Sequence, residues 1–191
     1  MQIRSVSSTG RVRRGNRAAT AQRAVEPTLR PGARAPQFAL PDADMEMFEL
    51  ADVLRSNHVV LYFYPRANTP GCTRQAADFT DREGDFAALG CVVVGVSPDD
   101  CLTLADFRDE HGLSVRLLSD EDSEICRRYG VWRKKEVDGF SKMAVLRSTF
   151  VIDRDGVVRH ALYDVNPRGH AAEVLELVRA MDARNTHNGN R

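Results

Sequence analysis

"HVVLYFYPRANTPGCTRQAADF", residues 58–79, sets a strand directly against the start of a helix. "HVVLYFYP" is β-branched and aromatic nearly throughout, which predicts a central strand covered on both faces. Pro65 ends the run and a small polar loop follows. Pro70 suits a first helical position, where a missing N–H costs nothing. Cys72 then falls in the first turn of a helix, where unpaired N–H groups and the positive end of the helix dipole point at it. That placement favours thiolate over thiol, and thiolate is the nucleophile. The opposite reading is an inert cysteine serving as a small buried hydrophobe. The polar, turn-rich surroundings argue against it for Cys72.

Working outward, "PGARAPQFALPDADMEMFEL" carries turn signals at Pro31-Gly32 and Pro41-Asp42 and predicts an N-terminal hairpin. Ala76, Phe79, Phe86 and Leu89 recur at helical spacing and predict one helix over 70–89. "CVVVGVS", 91–97, reads as a second buried strand. "PDDCLTLADFRDEHG" opens a helix with acids in its first turn and Gly112 as its stop. "VRLLSD" is a short strand and 122–129 a short helix. "RKKEVDGFSKMAVL", 133–146, reads as a loop beside the Cys72 site. "STFVIDRDGVVRHALYDV" predicts a hairpin around Asp155-Gly156. Val174, Leu175, Val178 and Met181 share a face of a closing helix over 169–182. The order predicts an α/β domain of three layers, with a mixed central sheet flanked by helices.

The chain has 191 residues, 42% hydrophobic and 28% charged, with a formal net charge of zero. These values fit one soluble domain with a sizeable core, and nothing overall points to nucleic acid. No apolar run approaches the roughly 20 residues that span a bilayer. Charge is nevertheless uneven. Residues 1–25 carry six arginines and no acid, and only three basic residues in the whole chain are lysines: Lys134, Lys135 and Lys142. Residues 1–30 cannot bury a core and read as a disordered basic extension. An organellar transit peptide and a start codon placed too far upstream are the competing readings. The folded domain is expected over 31–183, with a frayed tail over 184–191. A cytoplasmic location is expected, or an organellar one if the leading segment is a transit peptide.

Four cysteines stand at 72, 91, 101 and 126, with no Cys-x-x-Cys pair and no zinc spacing. Cys91, at the head of a valine-rich strand, and Cys126, beside Ile125, read as inert core residues. The five histidines are scattered without ligand spacing, so no metal or other cofactor is expected. A thiol that attacks a peroxide needs two kinds of help. A cation and a hydroxyl donor stabilise the charge that develops on the departing oxygen, and an apolar wall excludes water.

"PRANTPGCT", Pro65 to Thr73, resembles the Pro-x-x-x-Thr-x-x-Cys signature of peroxiredoxins. Its Thr-Pro-Gly-Cys-Thr form is similar to that of the bacterioferritin comigratory protein group, also called peroxiredoxin Q. "FALPDAD", "VVLYFYP", "VVGVSPD", "LLSDEDSEICRRYGVW" and "RSTFVIDRDG" continue the resemblance in the same order, over about 31–182. It implies a thioredoxin-like fold and a thiol-dependent peroxidase that reduces hydrogen peroxide and organic hydroperoxides through a cysteine sulfenic acid. It makes Cys72 the peroxidatic cysteine. Thr69 would bond the thiolate and the peroxide oxygen, Pro65 would shield the pocket, and Arg147 would be the active-site arginine.

The chain departs from many members of that group at Ala77, where they carry a resolving cysteine. Cys101, near the start of the next helix, is the candidate resolver. The alternative is a one-cysteine mechanism with the sulfenic acid reduced directly by an external thiol. Thioredoxin, or glutathione with glutaredoxin, is the implied reductant, with a monomer acting on peroxide substrates. Two other function classes compete: a thioredoxin-fold thiol–disulfide exchange protein, opposed by the missing Cys-x-x-Cys, and a binding module without turnover.

Overall fold

The structure is a computed structural model that describes residues 29–188. The basic extension, as far as residue 28, lies outside the described residues. A short hairpin comes first, β1 (Ala39–Pro41) and β2 (Met47–Glu49), then α1 (Leu50–Leu54). Next are β3 (His58–Phe63), α2 (Pro70–Thr80), α3 (Glu83–Ala88), β4 (Cys91–Ser97), α4 (Cys101–His111) and β5 (Arg116–Ser119). The last part holds α5 (Glu124–Arg128), β6 (Trp132–Val137), β7 (Phe140–Val145), β8 (Ser148–Ile152), β9 (Val158–Tyr163) and α6 (His170–Asn188).

Five strands make the central sheet in the order β5-β4-β3-β8-β9. β3, β4 and β5 run parallel, whereas β8 and β9 are antiparallel additions, so the sheet is mixed. All six residues of β3 are buried, as its composition requires. Alternate residues then serve opposite faces. Val60, Tyr62 and Tyr64 join Phe79 of α2, Leu104 and Phe107 of α4, and Val174 and Val178 of α6. Val59, Leu61 and Phe63 join Phe38, Phe48, Leu50 and Leu54, with Ile125 of α5. Two apolar clusters on one sheet give the three layers of the thioredoxin-like arrangement.

The described fold begins slightly earlier than the expected boundary at residue 31. Leu29 is buried, its N–H donates to the Tyr163 hydroxyl at 3.1 Å, and that hydroxyl lies 3.2 Å from the Leu29 carbonyl. At the other end α6 continues to Asn188, past the 169–182 span.

Two segments differ from expectation. The helix over 70–89 is broken into α2 and α3 at Asp81–Arg82, where Arg82 has φ −110° and ψ 4°. Its four periodic residues pack on one cluster on both sides of the break, so periodicity does not register it. The segment 133–146 is not a loop: β6 and β7 pair as an antiparallel hairpin outside the main sheet. Its turn is Asp138-Gly139, with φ of 52° and 78°. Two successive positive φ values are what a two-residue hairpin of matching twist demands. Polar residues on both faces of the hairpin hide its period-2 pattern.

One glycine is fixed by close approach. Tyr62 and Gly95 are cross-strand neighbours, and a Cβ on Gly95 would lie 2.6 Å from the Tyr62 ring. That ring is fully buried and cannot swing aside. Gly95→Ala is therefore expected to destabilise the fold by about 1–3 kcal/mol through overpacking, read as a lower denaturant midpoint. An unchanged midpoint would mean that the sheet yields at this pair. A second expectation concerns pH. His58 and His170 are both buried, and burial is the main cause holding their pKa values below 6.5. The unfolded chain then binds more protons than the folded one, so stability rises with pH. The contribution is whole above about 6.5 and is lost as pH falls through the lower folded values. Urea midpoints at pH 7 and pH 5 should show this, and the drop should shrink in His170→Gln. An equal drop in that variant would assign the effect elsewhere.

Candidate active site

Strand register brings the site together. β3 and β8 pair Phe63 with Ser148, so Arg147 enters beside the chain that leaves β3 through Tyr64 and Pro65. That chain turns and starts α2 with Pro70 at its head and Cys72 in its first turn. The Arg147 guanidinium spans the gap. Its Nη2 donates to Cys72 Sγ at 3.2 Å and its Nη1 to Gln75 Oε1 at 2.6 Å. Gln75 follows Cys72 by three residues and so shares its helix face. Two of the expected residues, 75 apart in sequence, are thus in direct contact.

Gln75 escaped the sequence reading. It is fully buried, and its Nε2 has no hydrogen-bond partner among the described residues. The available signal was a polar residue among the apolar positions of a helix, on the thiol's side. The loop between β3 and α2 has a second anchor. Ala67 N–H donates to Asp99 Oδ2 at 2.7 Å, and Ser97 Oγ donates to the same oxygen at 2.8 Å. Asp99 therefore ties the loop to the end of β4, and its neighbour Asp100 caps α4 through Thr103 N–H at 2.8 Å.

Cys72 is more enclosed than its polar, turn-rich sequence suggests: it is 1% exposed and belongs to the cluster of Tyr62, Tyr64 and Phe79. The two tyrosine rings stack at 5.6 Å. Burial raises the pKa of both phenols, so they stay neutral beside the sulfur. The structure places Thr69 at the α2 N-cap, where its hydroxyl donates to the Arg66 carbonyl at 3.1 Å rather than to sulfur. Pro65 is exposed, and with Arg147 it lines a cavity of about 270 Å³.

All four cysteines are free thiols. Cys101 is the first residue of α4 and is partly buried. Burial pushes the Cys91 thiol up to about 12 and raises Cys126 further, so both stay protonated and inert. Ala77, at the position of the usual second thiol, lies on the outer side of α2 in a groove with Arg74, Glu110 and His111.

A buried thiol held by a guanidinium is an arrangement that can pass charge from sulfur to an arriving oxygen, and known proteins share its setting. The AhpC/TSA family model matches residues 31–161. Rv2521 of Mycobacterium tuberculosis H37Rv is 49% identical over 146 residues, covering 76% of this chain and 92% of that protein. Peroxiredoxin Bcp of Escherichia coli K12 is 39% identical over 147 residues, covering 77% and 94%. Among solved structures, that of the Xanthomonas campestris bacterioferritin comigratory protein, described for its alkyl peroxide reduction activity, superposes with a TM-score of 0.74. It is 29% identical and covers 82% of this chain and 99% of its own. Matching signature, sheet order and relatives agree: this chain belongs to the AhpC/TSA family, in its bacterioferritin comigratory protein or peroxiredoxin Q group.

Proposed function

We propose that this chain is a thiol-dependent peroxidase with Cys72 as its nucleophile. The observation that carries the reading is the 3.2 Å contact between Arg147 Nη2 and Cys72 Sγ. The Cys72 thiolate attacks the terminal oxygen of a hydroperoxide. The S–O bond forms as the O–O bond breaks, and the alkoxide leaves and takes up a proton to become the alcohol. Sulfur loses two electrons and becomes a sulfenic acid. The guanidinium that steadies negative charge on sulfur is also placed to steady it on the departing oxygen, with little reorganisation. Gln75 fixes the guanidinium plane by taking its other nitrogen. Thr69 releases the Arg66 carbonyl and turns its hydroxyl to the peroxide. Pro65 walls the cavity on the Arg147 side.

The cycle closes when an external thiol attacks the sulfenic acid, expels water, and leaves a mixed disulfide that a second thiol resolves. Thioredoxin, or glutathione with glutaredoxin, fits that role. Ala77 leaves α2 without a resolver, so either Cys101 joins Cys72 after the first turn of α2 unwinds or the enzyme works with one cysteine. Thiol–disulfide exchange fits less well, because Gln75 occupies the Cys-x-x-Cys partner position and is already held by Arg147. The working form is proposed to be a cytoplasmic monomer. Among the described residues, no helix is long and apolar enough to cross a membrane.

Cys72→Ser is expected to abolish peroxide turnover with an unchanged circular dichroism spectrum. Turnover above background in that variant would move the chemistry to another residue. Arg147→Ala should slow peroxide reduction by a factor on the order of 10² or more, the scale of a lost oxyanion donor. Gln75→Ala should slow it less, and the double variant should be little worse than Arg147→Ala alone, because Gln75 acts through the guanidinium. Additive losses in stopped-flow peroxide reduction would show that the two side chains act independently.

A further inference from the structure

The chain between β9 and α6, residues 164–169, forms a strap against the start of α2. Asp164 and Gly169, with φ of 52° and 72°, turn it at its two ends. Val165 N–H donates to the Arg147 carbonyl at 3.0 Å. Pro167 stands over Gly71, the residue before Cys72, with its Cγ 3.5 Å from where a Cβ on that glycine would be. The strap leads into His170, the first residue of α6. His170 is buried, and its Nε2 lies 2.8 Å from Thr149 Oγ1. Its ring meets Phe79 edge-on, with centroids 6.1 Å apart.

Both contacts lead back to the reacting pair. Thr149 is two residues beyond Arg147 on the same side of β8, in register with Tyr62. Phe79 follows Gln75 by four residues and Cys72 by seven, so it continues their face of α2. His170 thus braces the strand that carries the guanidinium and the helix that carries the sulfur. A buried hydroxyl and a buried imidazole are each costly without a partner, so the bond between them favours the closed strap.

Resting on the peroxidase reading above, we infer that His170 is a positioning residue for peroxide reduction: through Thr149 and Phe79 it pins the strap and keeps Arg147 within reach of Cys72. It acts through these neighbours and takes no part in the bond exchange at sulfur. The groups that face it set its response to pH. Glu173 Oε2, on its own helix, is 3.5 Å from Nδ1. α2 and β3 bring Cys72 and Tyr62 to the same cluster, and burial keeps Tyr62 neutral. Burial of the ring holds its pKa below 6.5; Glu173 opposes that shift and Arg147 adds to it. Lifting the strap exposes the ring and restores its ordinary affinity for a proton, so acid favours the lifted form. The pin is whole above about pH 6.5 and loosens as pH falls through the lower folded value.

The test is the stopped-flow rate constant for reduced protein with hydrogen peroxide, expressed per folded molecule. His170→Leu keeps bulk against Phe79 and removes the bond to Thr149. It should react about tenfold more slowly, the upper scale of one neutral hydrogen bond. Thr149→Val removes the same bond from the strand side and should show a similar loss, which serves if His170→Leu does not fold. His170→Gln, whose amide still reaches toward Thr149, should keep most of the rate at about pH 7. The ratio of the wild-type rate to the His170→Gln rate cancels any titration common to both proteins. It should be flat above about pH 6.5 and fall below it. A residue that serves only stability would lower the denaturant midpoint and leave the rate per folded molecule and the ratio unchanged. A wild-type rate in His170→Leu or in Thr149→Val, or a ratio that stays flat down to about pH 5, overturns the inference while the peroxidase reading stands. If the wild-type protein does not consume hydrogen peroxide, the peroxidase reading fails and takes the inference with it.

Discussion

The guanidinium of Arg147 between Cys72 and Gln75 is the interaction on which the site depends. It joins the start of one helix to the start of one strand, and each end is set by backbone features. The β3–β8 register fixes where Arg147 enters. Pro70 and the N-terminal turn of α2 fix where the sulfur points. A one-residue slip of β8 would turn Arg147 to the other face of the sheet. The antiparallel addition of β8 to an otherwise parallel core therefore has a direct chemical consequence.

Burial gives that contact its strength. Cys72 lies among Tyr62, Tyr64 and Phe79, all within the cluster that α2, α4 and α6 press onto the sheet. In the proposed reaction, with the attacking thiolate opposite the guanidinium, charges in such a setting are screened less than in water. Burial raises the Cys91 and Cys126 thiols, and for Cys126 the carboxylate of Asp120 adds to the effect, so both stay protonated. Position on the fold, and not the thiol itself, separates the proposed nucleophile Cys72 from Cys91 and Cys126. The tight packing extends to Gly95, where the Tyr62 ring occupies the space a side chain would need.

Much of this was legible in the sequence, for identifiable reasons. β3 declared itself through continuous apolar residues, and the β8–β9 hairpin through Asp155-Gly156. Pro70 and Cys72 marked a helix start with a thiol in it. Arg147 was another matter. Nothing local separates it from the other arginines, and only the family resemblance singled it out before the register explained it. Gln75 and Asp99 were missed because each acts through a long-range contact: Gln75 through Arg147, and Asp99 through Ala67. The β6–β7 hairpin was missed because only its Trp132–Val145 end packs on the core, so burial imposes alternation on little of it. Yet its Asp138-Gly139 turn carried the signal.

The most direct test of the central claim is to treat the reduced protein with one equivalent of hydrogen peroxide, with a sulfenic-acid trap present, and to map the oxidised residues by mass spectrometry. The account predicts that every oxidation product includes Cys72, as the trapped sulfenic acid or as a disulfide with Cys101 or an added thiol. Oxidation at Cys91, Cys101 or Cys126 with Cys72 untouched would contradict it.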